Sequence, residues 1–135
     1  MRRAVLLGLA ILLALPALAQ AARDDDFEFA EGLVRLKYYD LAKEQFESII
    51  NDTGRGGDER ANGELGLALL LKAQASDMML DPKSETDATL ALFDEAESRF
   101  DKCLTNNPSH RRRTDARFEV GQLLQAKGSF CSGRA

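Results

Sequence analysis

From Phe27 onward, apolar residues recur every three or four positions, and no stretch shows the one-on, one-off alternation of a half-buried strand. In "DDDFEFAEGLVRLK", Phe29, Leu33 and Leu36, with Ala30 and Val34 beside them, fall on one helical face. The leading aspartates favour a helix start through side-chain capping and attraction to its positive end. "YYDLAKEQFESII" predicts a second helix with Leu41, Ala42, Phe46 and Ile49 inward and Lys43, Glu44 and Glu47 outward. The glycines of "NDTGRGGDER" break that helix, and Asp58 is placed to cap the next. The third helix, about Glu59 to Leu80, is apolar almost all round at "LGLALLL", which predicts neighbours on more than one side. Asp81 before Pro82 resists helix, and Ser84 or Thr86 can cap a fourth, about Asp87 to Thr105, that stops at "NNPSH". A fifth covers about Arg111 to Lys127 and ends at Gly128. The pattern therefore predicts an all-α chain of about five helices.

Two of these helices share a finer pattern. Tyr39, Ala42, Phe46 and Ile49 recur as Phe93, Ala96, Phe100 and Cys103, each 54 residues later. A repeated order of large, small, large and apolar has a physical reason: helices approach to about 8–10 Å only where the side chain at the crossing is small. Paired helices with a recurring small position mark an α-solenoid, and the chain resembles the tetratricopeptide repeat (TPR). "FAEGL" supplies an aromatic, Ala30 and Leu33 for a first helix, and Ala42 and Phe46 supply its partner. "LGLAL", with Leu65, Gly66 and Leu69, opens a second repeat, whose partner helix carries Ala96 and Phe100 and ends before Pro108. "VGQLLQAKGSF" opens a third at Val120, Gly121 and Leu124, with Gly128 and Phe130 entering its second helix. The resemblance implies antiparallel hairpins stacked as a short solenoid, with crossings at Ala30, Ala42, Gly66, Ala96 and Gly121. Departures are clear: the motif's tryptophan is missing throughout, and the first repeat lacks its closing proline. The 54-residue spacing exceeds the 34-residue family period, which predicts an insertion at "SDMMLDPKSETDATL", as extended helix ends around a turn. A further lengthening falls at "RRR".

The first 21 residues have the layout of a secretory signal peptide: Arg2 and Arg3, an apolar run from Ala4 to Leu15, Pro16, then a small-residue tail. The run is shorter than the roughly 20 residues a spanning helix needs. Residues 22–135 are then the helical repeat domain, with its last repeat incomplete and no stable membrane span after cleavage. Loss of Arg2 and Arg3 takes the formal charge from -4 to -6. An acidic exported chain is a poor partner for nucleic acid, whose binding depends on neutralising phosphates. No cysteine stands near the cleavage site to take a lipid, so the expected location is periplasmic or secreted.

Candidate chemistry changes this picture little. In an exported chain, Cys103 and Cys131 invite a disulfide. The repeat register offsets them along their helices beyond the roughly 7 Å between Cα atoms that a bond tolerates, so Cys103 reads as a core residue and Cys131 as a free thiol. "HRRRTDAR" could hold a phosphate or an acidic partner at a helix start, or simply be a solvated first turn. His110 is the only histidine, with no compact set of zinc ligands and no nucleophile–base arrangement around it. "TGRGGD" lacks the Lys-Ser/Thr ending of a phosphate-binding loop. Neither a cofactor nor a catalytic role is expected. The family resemblance implies instead a peptide-receiving face lined by the first helices, carrying Phe27, Glu31 and Arg35, then Phe118, Gln122 and Gln125. The expected function is a non-catalytic protein-interaction module of the bacterial envelope. The alternative is a piece of a longer solenoid, or a scaffold self-associating through its uncovered last hairpin.

Overall fold

The computed structural model describes residues 25–134, and among them all regular structure is helical. The helices are α1 (residues 25–35), α2 (Tyr39–Asn51), α3 (Gly57–Leu80), α4 (Thr86–Asn106) and α5 (Arg113–Arg134). The signal-peptide reading lies outside the described residues.

Successive helices run antiparallel. Ile50, at the end of α2, lies against Gly63 near the start of α3, whereas Tyr39, at the start of α2, bonds Asp77 near the end of α3. Cys103 Sγ, late in α4, reaches the Ala61 carbonyl early in α3. Arg113 of α5 donates to the Leu104 carbonyl of α4 at 2.8 Å, while Lys127 pairs with Asp94 and Glu97 farther back along α4. α3 packs against α2, α4 and α5, which explains its apolar residues on nearly every side.

The repeated residues occupy equivalent places. Ala42 and Ala96 are 0% exposed, and Phe46, Phe93, Phe100, Ile49 and Cys103 are all buried; Tyr39 is half-buried. The α2 set packs with Ala30, Leu33, Leu67 and Leu70, and the α4 set with Leu65, Ala68, Ala75, Ala116, Leu123 and Phe130. Gly66 marks a tight crossing: a Cβ there would stand 2.2 Å from Phe46 Cε1. Ala30, Ala42, Gly66 and Ala96 thus lie at buried contacts, as expected.

Gly121 does not. It is exposed, and a Cβ added there would meet nothing within 4 Å, because α5 turns Ala116, Leu123 and Phe130 inward instead. Nor does α5 end at Gly128; it continues to Arg134. Gly128 does not adopt the positive φ of a helix-ending glycine. Continuing the helix buries Phe130 against Phe93, with ring centroids 6.3 Å apart, and burying such a ring outweighs the roughly 1 kcal/mol cost of a mid-helix glycine. Phe130 and Cys131 therefore belong to α5 and not to a further helix.

Other inward assignments are corrected. Phe29, Leu36 and Leu41 are exposed. The packed stripe of α1 is centred on Ala30, with Leu33 buried on one side of it and Phe27 and Val34 partly buried on the other, and Phe29 and Leu36 lie beyond its edge. On α2, Leu41 sits about 100° around the helix from Ala42. Gly56 and Glu85 occupy the N-cap positions of α3 and α4, and neither of these two residues makes a side-chain capping bond. Asp58 lies inside the first turn of α3, where its charge still favours the helix dipole. The stretch from Ser76 to Leu90 forms the end of α3, a turn at 81–85 and the start of α4.

The α1–α2 turn closes with Lys37 in the left-handed region, at φ 63. Tyr38 N–H donates to Leu33 O and Lys37 N–H to Val34 O, the paired bonds of a helix C-cap usually built on glycine. Lys37 Nζ meets Asp77 at 2.9 Å, and the Tyr39 hydroxyl donates to the same carboxylate at 2.6 Å. Both bonds hold Asp77 below the usual carboxylate range, the one from Tyr39 contributing most. Burial, followed by its bond to Asp77, pushes the Tyr39 phenol up to about 12. A phenol pKa raised by folding stabilises fully below the ordinary value of 10.0 and progressively less as pH rises towards about 12. Chemical unfolding across that range should show stability falling in the wild type and a flatter profile in Tyr39→Phe.

Candidate binding face

α1, α3 and α5 contribute to one side of the molecule. Between α1 and α3 lies a cleft of about 150 Å³, lined by Glu31, Val34, Arg35, Phe46, Gly66 and Leu69. Its wall exists because Gly66 lets the Phe46 ring approach α3 closely, and because helical spacing brings Glu31, Val34 and Arg35 of α1 to the same side. One turn beyond Leu69, Lys72 reaches across to α5, meeting Glu119 at 2.6 Å and Gln122 at 2.7 Å. At the other end, Arg112 lies 5.3 Å from the centroid of the Phe27 ring and bonds Glu31 at 3.4 Å.

The six residues expected on this face have different surroundings. Glu31 and Arg35 line the cleft. Gln122 joins it through Lys72. Phe118, 66% exposed, and Gln125, also exposed, fall on the same side of α5 as Gln122 by helical spacing. Phe27 is half-buried between Arg112 and the Phe46 ring, 5.7 Å away, so it supports the cleft from behind. Sequence reasoning misses Val34 and Leu69 as cleft walls, and Lys72 and Arg112 as its polar braces.

The basic run before α5 is largely absorbed by the fold. Arg112 is tied to Glu31 and Phe27, and Arg113 to the Leu104 carbonyl; Arg111 is exposed. His110 is buried, and its Nδ1 accepts the Arg112 backbone N–H at 3.3 Å. Its Nε2 and the Oδ1 of Asn62 are buried with no hydrogen-bond partner among the described residues. Among the described residues, no group of three or more His, Cys, Asp or Glu side chains is arranged to hold a metal. Cys103 is buried and Cys131 exposed, and both thiols are free. Burial pushes the Cys103 thiol up, with the nearby Glu64 adding to it. Their separation has a different origin from the expected one, since Cys131 stands on the outside of α5.

A second cleft, about 210 Å³, lies between α2 and α4, with Leu67, Leu71 and Leu92 at its base. Charges on its rim pair within their own helices, Arg99 with Glu95 at 3.1 Å and Lys43 with Glu47 at 3.9 Å. Among the described residues no helix is long and apolar enough to cross a membrane.

Comparison with protein-family models, curated proteins and solved structures finds no match.

Proposed function

We propose that this chain is a non-catalytic, exported protein-interaction module of the bacterial envelope, with tetratricopeptide-like hairpins stacked as a short solenoid. A peptide or partner helix lies across α1, α3 and α5, and no covalent chemistry takes place. The observation that carries this reading is the open apolar cleft between α1 and α3, bordered by polar groups that reach α5 through Lys72. An apolar recess with a polar rim suits recognition of a peptide. Family resemblance in the repeated residues supports the same reading.

The test is a random peptide library displayed on phage and panned on the immobilised protein. Selected peptides should bind the wild type and lose at least about tenfold in affinity with Phe118→Ala plus Gln122→Ala. Both positions are exposed, so the fold is retained. Undiminished binding by that variant contradicts this face. Phe27→Ala is a poorer probe, because it also removes packing against Phe46.

A second reading, self-association through α5, is favoured by Leu124 standing exposed between Gly121 and Gly128, both in open space. It predicts a sedimentation coefficient that rises with concentration and falls back with Leu124→Glu.

A further inference from the structure

We infer that the α1–α3 cleft anchors an aliphatic or small aromatic side chain of a peptide, and that Arg35 at its rim pairs with an acidic residue beside that anchor. The inference rests on the proposed binding face and specifies what that face selects.

Volume and lining define the anchor. A cavity of about 150 Å³ holds one benzene-sized group when its walls are apolar. Here the walls are Val34, Phe46 and Leu69, so Leu, Ile, Met or Phe fits, whereas Ala leaves the space unfilled and a charged head loses its hydration without repayment. Phe46 is fixed in place by Gly66 and by the Phe27 ring, so the recess is preformed.

Charge defines the neighbour. Of the two ionised residues lining the cleft, Glu31 is engaged by Arg112 at 3.4 Å. Arg35 is exposed and has no charged partner among the described residues. Lys72, the next cation along, is engaged by Glu119. One uncompensated guanidinium therefore borders the recess, and its planar fork suits a carboxylate. A basic residue at the same place meets repulsion, which makes the rim a discriminator as well as an attraction.

Phage panning separates this inference from the broader one. Libraries are selected in parallel on the wild type, Arg35→Glu and Leu69→Phe, each first checked for native unfolding behaviour. Wild type should enrich sequences with an aliphatic or Phe residue adjacent to Asp or Glu, and their affinity should fall as salt is raised. Arg35→Glu should keep the apolar preference while exchanging the acid for Lys or Arg. Leu69→Phe, which fills the recess, should abolish the apolar preference. In a selected peptide, replacing the acid by Lys should weaken wild-type binding by about tenfold and strengthen binding to Arg35→Glu. Peptides that bind, depend on Phe118 and Gln122, yet show no such preference overturn the anchor-and-acid inference and leave the face standing. No enrichment on the wild type overturns both.

Discussion

Phe100→Ala lowers the free energy of unfolding by about 3–5 kcal/mol. The ring is 0% exposed and belongs to the core built from Leu65, Ala68, Phe93, Ala96, Leu123 and Phe130, where α3, α4 and α5 meet. Truncating it removes the apolar area it buries and opens a cavity that three helices cannot collapse without losing their contacts. A domain of this size has in total about 5–15 kcal/mol to lose, so the urea midpoint moves far and the variant approaches the threshold of folding. Phe118→Ala is the matched control: the same truncation on the exposed side of α5 should change stability by no more than about 0.5 kcal/mol. Equal effects at the two positions would mean that the repeated stripe of α4 is not the core.

Two helical glycines should respond to alanine in opposite directions. Alanine is the better helix former by about 1 kcal/mol, and at Gly121, where the new methyl meets nothing within 4 Å, that gain should be realised. At Gly66 the methyl would stand 2.2 Å from Phe46 Cε1 and 2.4 Å from Cδ1. The contact is with a buried ring, not with the free end of a flexible chain, so α2 must move away from α3 or Phe46 must leave its rotamer. Overpacking of this kind costs about 1–3 kcal/mol and exceeds the propensity gain. Gly66→Ala should therefore melt lower than wild type and Gly121→Ala higher, each by a few degrees, on the order of 4–8 °C per kcal/mol. Gly66→Ala should also weaken peptide binding, because Phe46 is a wall of the cleft.

The centre of the fold is legible because its information is local. Spacing within α2 and α4 pairs an alanine with an aromatic one turn away, and only one face of a helix can hold that set. The borders of a stripe are less legible. On α1, Leu33 is buried while Phe29, about 40° away around the helix, is exposed, and only the positions of α2 and α3 decide between them. Gly128 is ambiguous for a related reason. A glycine ends a helix unless a distant contact extends it, and here that contact, Phe130 on Phe93, comes from another helix. The braces of the binding face are hidden altogether. Lys72 finds Glu119 across 47 residues of chain, and Arg112 finds Glu31 across 81, separations at which spacing carries no information.

The most direct test of the binding account is a ¹H–¹⁵N NMR titration of the protein with a peptide selected from the library. Shift changes should concentrate at Glu31, Val34 and Arg35 of α1, Gly66, Leu69 and Lys72 of α3, and Phe118, Gln122 and Gln125 of α5. Changes gathered instead on Asp40, Lys43, Glu95 and Arg99, around the cleft between α2 and α4, would contradict it.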